Sequence, residues 1–190
     1  PQWIQLPPSG TPPQLREGHR AGYDQTNNRM VIYGGGNNGI MNVPNDVWVL
    51  TNANGIGGTP QWIKTLDSFA IRNEHHSQLY DPVSNRLTTF GGCCTWHNRN
   101  FNLTNANRIG TSVGTELFPA NPPEPRELDM FGYDPNTNRM IIFGGGVAGF
   151  TFNDLWILKN ANNIGVPEWV KTIPHDYPGS PPPFDSVSIQ

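Results

Sequence analysis

The sequence predicts an all-β fold built from repeated four-stranded antiparallel sheets. Three observations carry that prediction. The stretch Tyr23 to Gly35 (YDQTNNRMVIYGG) returns almost without gaps as Tyr80 to Gly92 (YDPVSNRLTTFGG) and Tyr133 to Gly145 (YDPNTNRMIIFGG). The tyrosines stand 57 and then 53 residues apart, a period that marks stacked repeats in which no single unit holds a site. The run before each glycine pair is nearly continuous apolar sequence, as a strand covered on two sides must be.

Each copy divides into four short strands. The first ends at the Tyr-Asp pair: Gly18 to Asp24, His75 to Asp81 and Leu128 to Asp134. Asp and Asn tolerate left-handed backbone and bond their own chain, so the following Asp-x-x-x-Asn-Arg reads as a hairpin loop. The second strand is Met30 to Tyr33, Leu87 to Phe90 and Met140 to Phe143. It ends in Gly34-Gly35, Gly91-Gly92 and Gly144-Gly145, where backbone passes close to neighbouring structure or takes positive φ. The third is Asp46 to Leu50, containing Trp48, and Asp154 to Leu158, containing Trp156. After a polar loop (Thr51 to Gly55, Lys159 to Asn163) the fourth, Gln61 to Leu66 and Glu168 to Ile173, alternates polar and apolar residues as a half-exposed outer strand does. The middle copy keeps Thr104 to Asn107 but lacks Asp-x-Trp and Trp-x-Lys. Its third strand is expected around Asn100 to Leu103 and its fourth to be weak or missing. At the ends, Gln2 to Leu6 matches a fourth strand, and Phe184 to Ile189 stands where a new first strand should begin.

Composition bounds the function classes. Only 14% of the 190 residues are charged, net charge is −3, and the 12 Lys and Arg are scattered, so no basic stripe exists to neutralise a phosphate backbone. No apolar run is long enough for a membrane span. The 21 Gly and 19 Pro read as turn chemistry, because six Trp and nine Phe provide a core that a disordered chain lacks. No leader precedes Pro1, as in a mature secreted protein or an excised segment.

The apolar-Gly-Gly endings, the Asp-x-Trp of strand three and the Arg-x-Gly-His of Arg16 to His19 resemble kelch repeats, which build β-propellers. The resemblance spans nearly the whole chain. It implies four-stranded blades with strand one innermost around a channel, and rings of about four to eight blades. The implied organisation is an outer strand of a preceding blade at 1–10 and blade one at 16–67. Blade two follows at 73–120 with a degenerate outer strand, blade three at 126–174, and the start of a further blade at 183–190. Three blades cannot close a ring, so the expected partners include further blades, in the same chain or in a second copy. Thr51 to Gly55 and the following Pro60-Gln61-Trp62 are similar to secreted bacterial kelch-like proteins, which implies an extracellular location. Galactose oxidase shares the propeller type, but its copper set of two Tyr, two His and a Tyr-linked Cys has no residue-by-residue match here. No catalytic residue, metal or cofactor is carried over.

Several positions could carry chemistry. His19 and His76 recur four residues before a tyrosine, with Asp129 in the third copy. They are either ligand-binding groups near the channel or structural side chains bonding a neighbouring blade, and recurrence in register favours the second. Arg16 and Arg126 recur with Asn73 between them, each followed by an acid (Glu17, Glu74, Glu127), and structural bonding between blades is again favoured. His75 and His76 point to opposite faces of a strand, so they do not share an ion. Cys93 and Cys94 form a strained vicinal disulfide, remain two thiols in a buried turn, or pair outside this segment. Asn102-Leu103-Thr104 is a lone sequon, read as chance. The loops after strand two vary from copy to copy, and Asn37, Asn38, Met41, Trp96, His97, Arg99 and Phe150 are the ligand-binding candidates there. The expected function is a non-catalytic binding or scaffold module recognising a protein or glycan through one propeller face. One alternative is part of a propeller enzyme completed by missing blades. Another is a self-assembling structural, surface-layer or fibre subunit.

Overall fold

The computed structural model describes residues 2–36, 44–93 and 96–172. Within them lie three four-stranded antiparallel sheets in simple chain order. Blade one holds β1 (Arg20–Asp24), β2 (Arg29–Tyr33), β3 (Val47–Thr51) and β4 (Gln61–Leu66). Blade two holds β5 (Ser77–Asp81), β6 (Arg86–Phe90), β7 (Asn100–Thr104) and β8 (Val113–Leu117). In blade three, β9 (Met130–Asp134) and β10 (Arg139–Phe143) are followed by a small hairpin, β11 (Gly146–Val147) and β12 (Phe150–Thr151). The outer pair β13 (Leu155–Lys159) and β14 (Glu168–Lys171) completes it. The sheets approach one another through their first strands, β1 beside β5 and β5 beside β9, so strand one is innermost.

Hydrophobic packing lies between blades. Val31, Tyr33, Val47 and Val49 of blade one meet Leu87, Leu103 and Ala106 of blade two. Leu79 and Phe90 meet Met140, Ile142, Leu158, Ala161 and Trp169 at the second joint, with the Phe90 and Trp169 rings 4.7 Å apart. The second strand of blade two is therefore covered on both sides, Leu87 packing on blade one and Phe90 on blade three.

Polar clamps repeat in register around these cores. In all three copies the turn asparagine (Asn28, Asn85, Asn138) is left-handed, with φ of 51, 52 and 52°. Its carboxamide oxygen accepts from the tyrosine hydroxyl and from the backbone of Asn54, Asn107 or Asn162. The next blade then closes on this corner. Asn107 Nδ2 donates to Asp24 (2.5 Å) while Arg29 donates to the Asn107 carbonyl (2.8 Å). Asn162 Nδ2 does the same to Asp81 (2.7 Å), and Arg86 reaches the Asn163 carbonyl (3.0 Å).

The paired glycines admit the next blade's backbone. Gly35 N donates to the Asn73 carbonyl (2.9 Å) and Gly92 N to that of Arg126 (2.8 Å). Gly34, Gly91 and their following glycines all have positive φ, and a Cβ on Gly91 would sit 2.5 Å from the Arg126 carbonyl oxygen. Only glycine satisfies both conditions at once.

The structure corrects several expectations. The first strands begin two residues later than expected, at Arg20, Ser77 and Met130, because Gly18, His75 and Leu128 are left-handed (φ 65, 55 and 57°) and cannot join a ladder. Blade two has a complete fourth strand, β8, paired with β7 over all five positions. Backbone pairing suffices there without the Trp-x-Lys signature. Gln2 to Leu6 does not form the expected strand: among the described residues no ladder runs beside it, and Trp3 is fully exposed. Further along, Ser9 forms a parallel bridge to Gln61, as Ala120 does to Glu168. The tail from Phe184 to Ile189 lies outside the described residues, as does Ile173.

Replacing Gly91 by Ala should destabilise the chain by more than the ~1 kcal/mol of an ordinary Gly-to-Ala strain, because backbone oxygen fills the space. Urea denaturation, comparing midpoints with Gly132→Ala, where no atom lies within 4 Å, measures it.

Candidate functional site

The sequence-predicted residues separate into two groups. Trp96 and Phe150 are both associated with Glu127, the first by a hydrogen bond and the second by a shared groove; His97 and Arg99 are engaged elsewhere. Trp96 sits at φ 30° and is 47% exposed, and its indole N–H donates to Glu127 Oε1 at 3.2 Å. Phe150, 74% exposed, stands on the β11–β12 hairpin. Ala148 and Gly149 both take positive φ in that hairpin's two-residue turn, the conformation that matches strand twist. Glu127, Leu128, Met130, Phe143, Phe150 and Phe152 line a groove of about 640 Å³. Glu127 thus links the two aromatics, one from blade two and one from blade three. Asn37, Asn38 and Met41 lie outside the described residues.

His97 is buried, and its Nδ1 accepts from the Arg99 backbone at 3.2 Å. Burial, followed by the Arg99 charge, pushes its pKa down to about 4, so it is a neutral packing group at pH 7. Arg99 is engaged on the outer strands, bidentate to Glu116 with both bonds at 2.6 Å and stacked on Phe101. Its equivalents explain this. Blades one and three place Asp46 and Asp154 at that position, each accepting from the indole of Trp48 or Trp156 and facing Lys64 or Lys171. Blade two reverses both signs, Arg99 for the Asp and Glu116 for the Lys.

The recurring arginines act inside a blade, where bonding between blades was expected. Arg16 holds Asp46 (2.9 Å) and the Gly34 carbonyl (3.0 Å); Arg126, fully buried, holds Asp154 (2.6 Å) and the Gly144 carbonyl (3.0 Å). Asn73 stands in for them in blade two, donating to the Gly91 carbonyl at 2.6 Å. A second guanidinium there would approach Arg99, so the neutral amide accompanies the reversed pair.

The His19, His76 and Asp129 series is structural at its second and third members. His76 is fully buried, bonded to Gln78 (3.3 Å) and edge-on to Tyr33 of blade one, and desolvation lowers its pKa to about 3. Asp129 accepts from Ser77 of blade two, and burial raises its pKa to about 6 against the opposing effects of Ser77, Arg126 and Arg20. His19 is less enclosed, and its pKa is lowered by burial and by Arg16 and Arg20. Asn102 of the sequon is buried, with its amide on Thr88 Oγ1 (2.8 Å), so the folded chain does not present it.

Beside this surface lie three turns that enter the first strands, tied edge to edge by His75 N–H to the Gly18 carbonyl (2.9 Å) and Leu128 N–H to the His75 carbonyl (3.0 Å). His75 Nδ1 stands 3.5 Å from Glu127 Oε2, and the buried Cys93 thiol donates to Glu74 Oε1 at 3.1 Å. Cys94 lies outside the described residues. The binding candidates read from sequence omitted Glu74 and Glu127; the available signal was the acid that recurs in register after Arg16, Asn73 and Arg126.

The KLHDC2/KLHL20/DRC7 Kelch-repeats domain, as a family model, matches residues 1–183. No curated protein matches the chain. Its fold is similar to the solved "Structure of YjhT", with TM-score 0.63 and 11% identity over 86% of this chain and 53% of that one. It is also similar to a chain of the "Cryo-EM structure of RAG in complex with one melted RSS and one unmelted RSS", with TM-score 0.59 and 15% identity over 90% and 55%. The chain spans about half the length of these solved chains.

Because the folded state raises the Asp129 pKa, it favours the protonated acid. Stability from this group is full below about pH 4 and falls as pH rises through about 6, by at most ~3 kcal/mol. Asp129→Asn should flatten that part of the wild-type profile, which urea midpoints from pH 4 to 7 will show.

Proposed function

This chain belongs to the kelch-repeat family, and from that premise we propose that it is a non-catalytic module that binds a protein across the surface of Trp96, Glu127 and Phe150. One observation carries the reading: the exposed Trp96 of blade two bonds to Glu127, and Glu127 lines one groove with the exposed Phe150 of blade three. Exposed aromatics and a carboxylate on one surface suit an apolar side chain next to a Lys, Arg or amide donor. A peptide segment provides that combination, and the apolar groove walls favour it over a sugar. The resemblance of the Thr51 to Gly55 loop to secreted kelch-like proteins supports an extracellular location as part of this proposal.

A further blade belongs to the same reading. Asp134 and Arg139 hold the positions from which Asp24, Asp81, Arg29 and Arg86 grip a following blade; Arg139 is exposed and Asp134 half-buried. Met130, 75% exposed, matches Ser77, which blade three buries. With a following blade in place, that wall of the groove is covered and the loop residues Trp96, Glu127 and Phe150 face the partner.

Affinity capture from the source's own extract, with wild-type, Trp96→Ala and Phe150→Ala proteins as baits, tests this. Proteins retained by wild type should fall at least about tenfold on each variant, the scale of a central aromatic anchor. Full retention by both variants rejects this face.

A further inference from the structure

We propose that Glu74, His75 and Cys93 form a binding site for a divalent cation of the zinc class, with Glu127 as partner of the imidazole. Their ligand atoms all lie within 4.8 Å of one another. Glu74 and Cys93 are held opposite by a backbone bond, Cys93 N–H to the Glu74 carbonyl at 3.0 Å, and their side chains already meet at 3.1 Å. His75 reaches in from the next residue, and Glu127 stands 3.5 Å from its Nδ1.

The repeat provides an internal comparison. The acid occurs in every copy, as Glu17, Glu74 and Glu127, and Glu17 and Glu127 pair through their backbones with Gly36 and Gly146 where Glu74 pairs with Cys93. At the left-handed turn, blade one has Gly18 and blade three has Leu128, where blade two has His75. The turn needs neither a thiol nor an imidazole, since two blades build it without them. Blade two alone puts a ligating group at both positions, and the two point to the same place. The adjacent His76 is sealed against Tyr33 and takes no part; the second soft donor is Cys93 instead.

The donor set selects the ion. One thiolate, one imidazole and one carboxylate suit Zn²⁺ and related ions and are poor for Mg²⁺ or Ca²⁺, which take oxygen. Tetrahedral coordination wants donors about 3.3–3.8 Å apart, so the half-exposed His75 must move by about 1 Å. Binding replaces the thiol proton: the Cys93 S–H bond breaks, the sulfur–metal bond forms with both sulfur electrons, and one proton leaves to solvent. Hydrogen-bonding the imidazole N–H to Glu127 is the usual way an outer carboxylate fixes a ligand ring. This site does not depend on the proposed protein partner.

Titrating the reduced full chain with Co²⁺ alone tests the proposal. A thiolate-to-cobalt charge-transfer band should saturate at one ion per chain, with visible bands of four-coordinate geometry. Cys93→Ser should abolish the charge-transfer band, Cys94→Ser should keep it, and Glu127→Gln should weaken binding about ten- to hundredfold. His75→Ala and Glu74→Gln should weaken it further. If Cys93→Ser does not fold, unchanged affinity in those last two variants overturns the site. So does a wild-type chain without a saturable band, a band that survives in folded Cys93→Ser, or one that Cys94→Ser alone removes.

Discussion

Everything in this structure depends on how one sheet accepts the backbone of the next. The Asn73 and Arg126 carbonyls enter the space above Gly34-Gly35 and Gly91-Gly92, where no side chain could fit. At the opposite corner Asp24 and Asp81 receive the carboxamides of Asn107 and Asn162. Between these two polar fastenings the apolar faces are forced into register, and the cores of Val31 with Leu87 and of Phe90 with Trp169 follow. An unpaired buried carbonyl costs about 1–3 kcal/mol and a carboxylate more, so the fastenings set the alignment even where the apolar contact is tolerant.

Most of this was legible because the sequence states it three times. The left-handed asparagine, the glycine pair and the doubly covered second strand each have one local physical cause, and local causes leave sequence marks. What escaped depends on contact between residues far apart. The outer strand of blade two carries no signature because Val113–Leu117 is specified by pairing to β7, and Arg99 with Glu116 replaces a charge pattern that reads only across strands. Leu128 gave no hint of positive φ, and its backbone bond to His75 joins segments far apart in the chain. The site residues followed the same division. Exposed aromatics in variable loops could be named in advance, whereas the meeting of Glu74 with Cys93 required the bridge between their segments.

The reversed charges in blade two show how a repeat can drift without losing its form. Asp46 with Arg16 and Asp154 with Arg126 are enclosed ion pairs, and an Arg at either aspartate position alone would leave like charges together. Blade two changes three members at once: the acid to Arg99, the lysine to Glu116 and the arginine to Asn73. The Asn73 amide keeps the bond to the glycine carbonyl, the one part of the arginine's role that geometry cannot spare. The blade that gave up the repeat's ion pair is also the one that carries His75 and Cys93.

The neighbour-to-neighbour fastenings also fix an order of assembly. Each sheet is a meander whose ladders join strands from one continuous stretch of chain, whereas the asparagine clamps join residues 83 and 81 positions apart. Local ladders therefore close early, while the distant fastenings must wait for two finished sheets. On a growing chain the second sheet meets a first that is already formed, and the third meets the second. Until that docking, Leu79, Phe90 and Val31 lie open to water. The interval between one sheet and the next is thus when this chain is most exposed to association with its neighbours in a crowded cell, and the rate of translation sets its length.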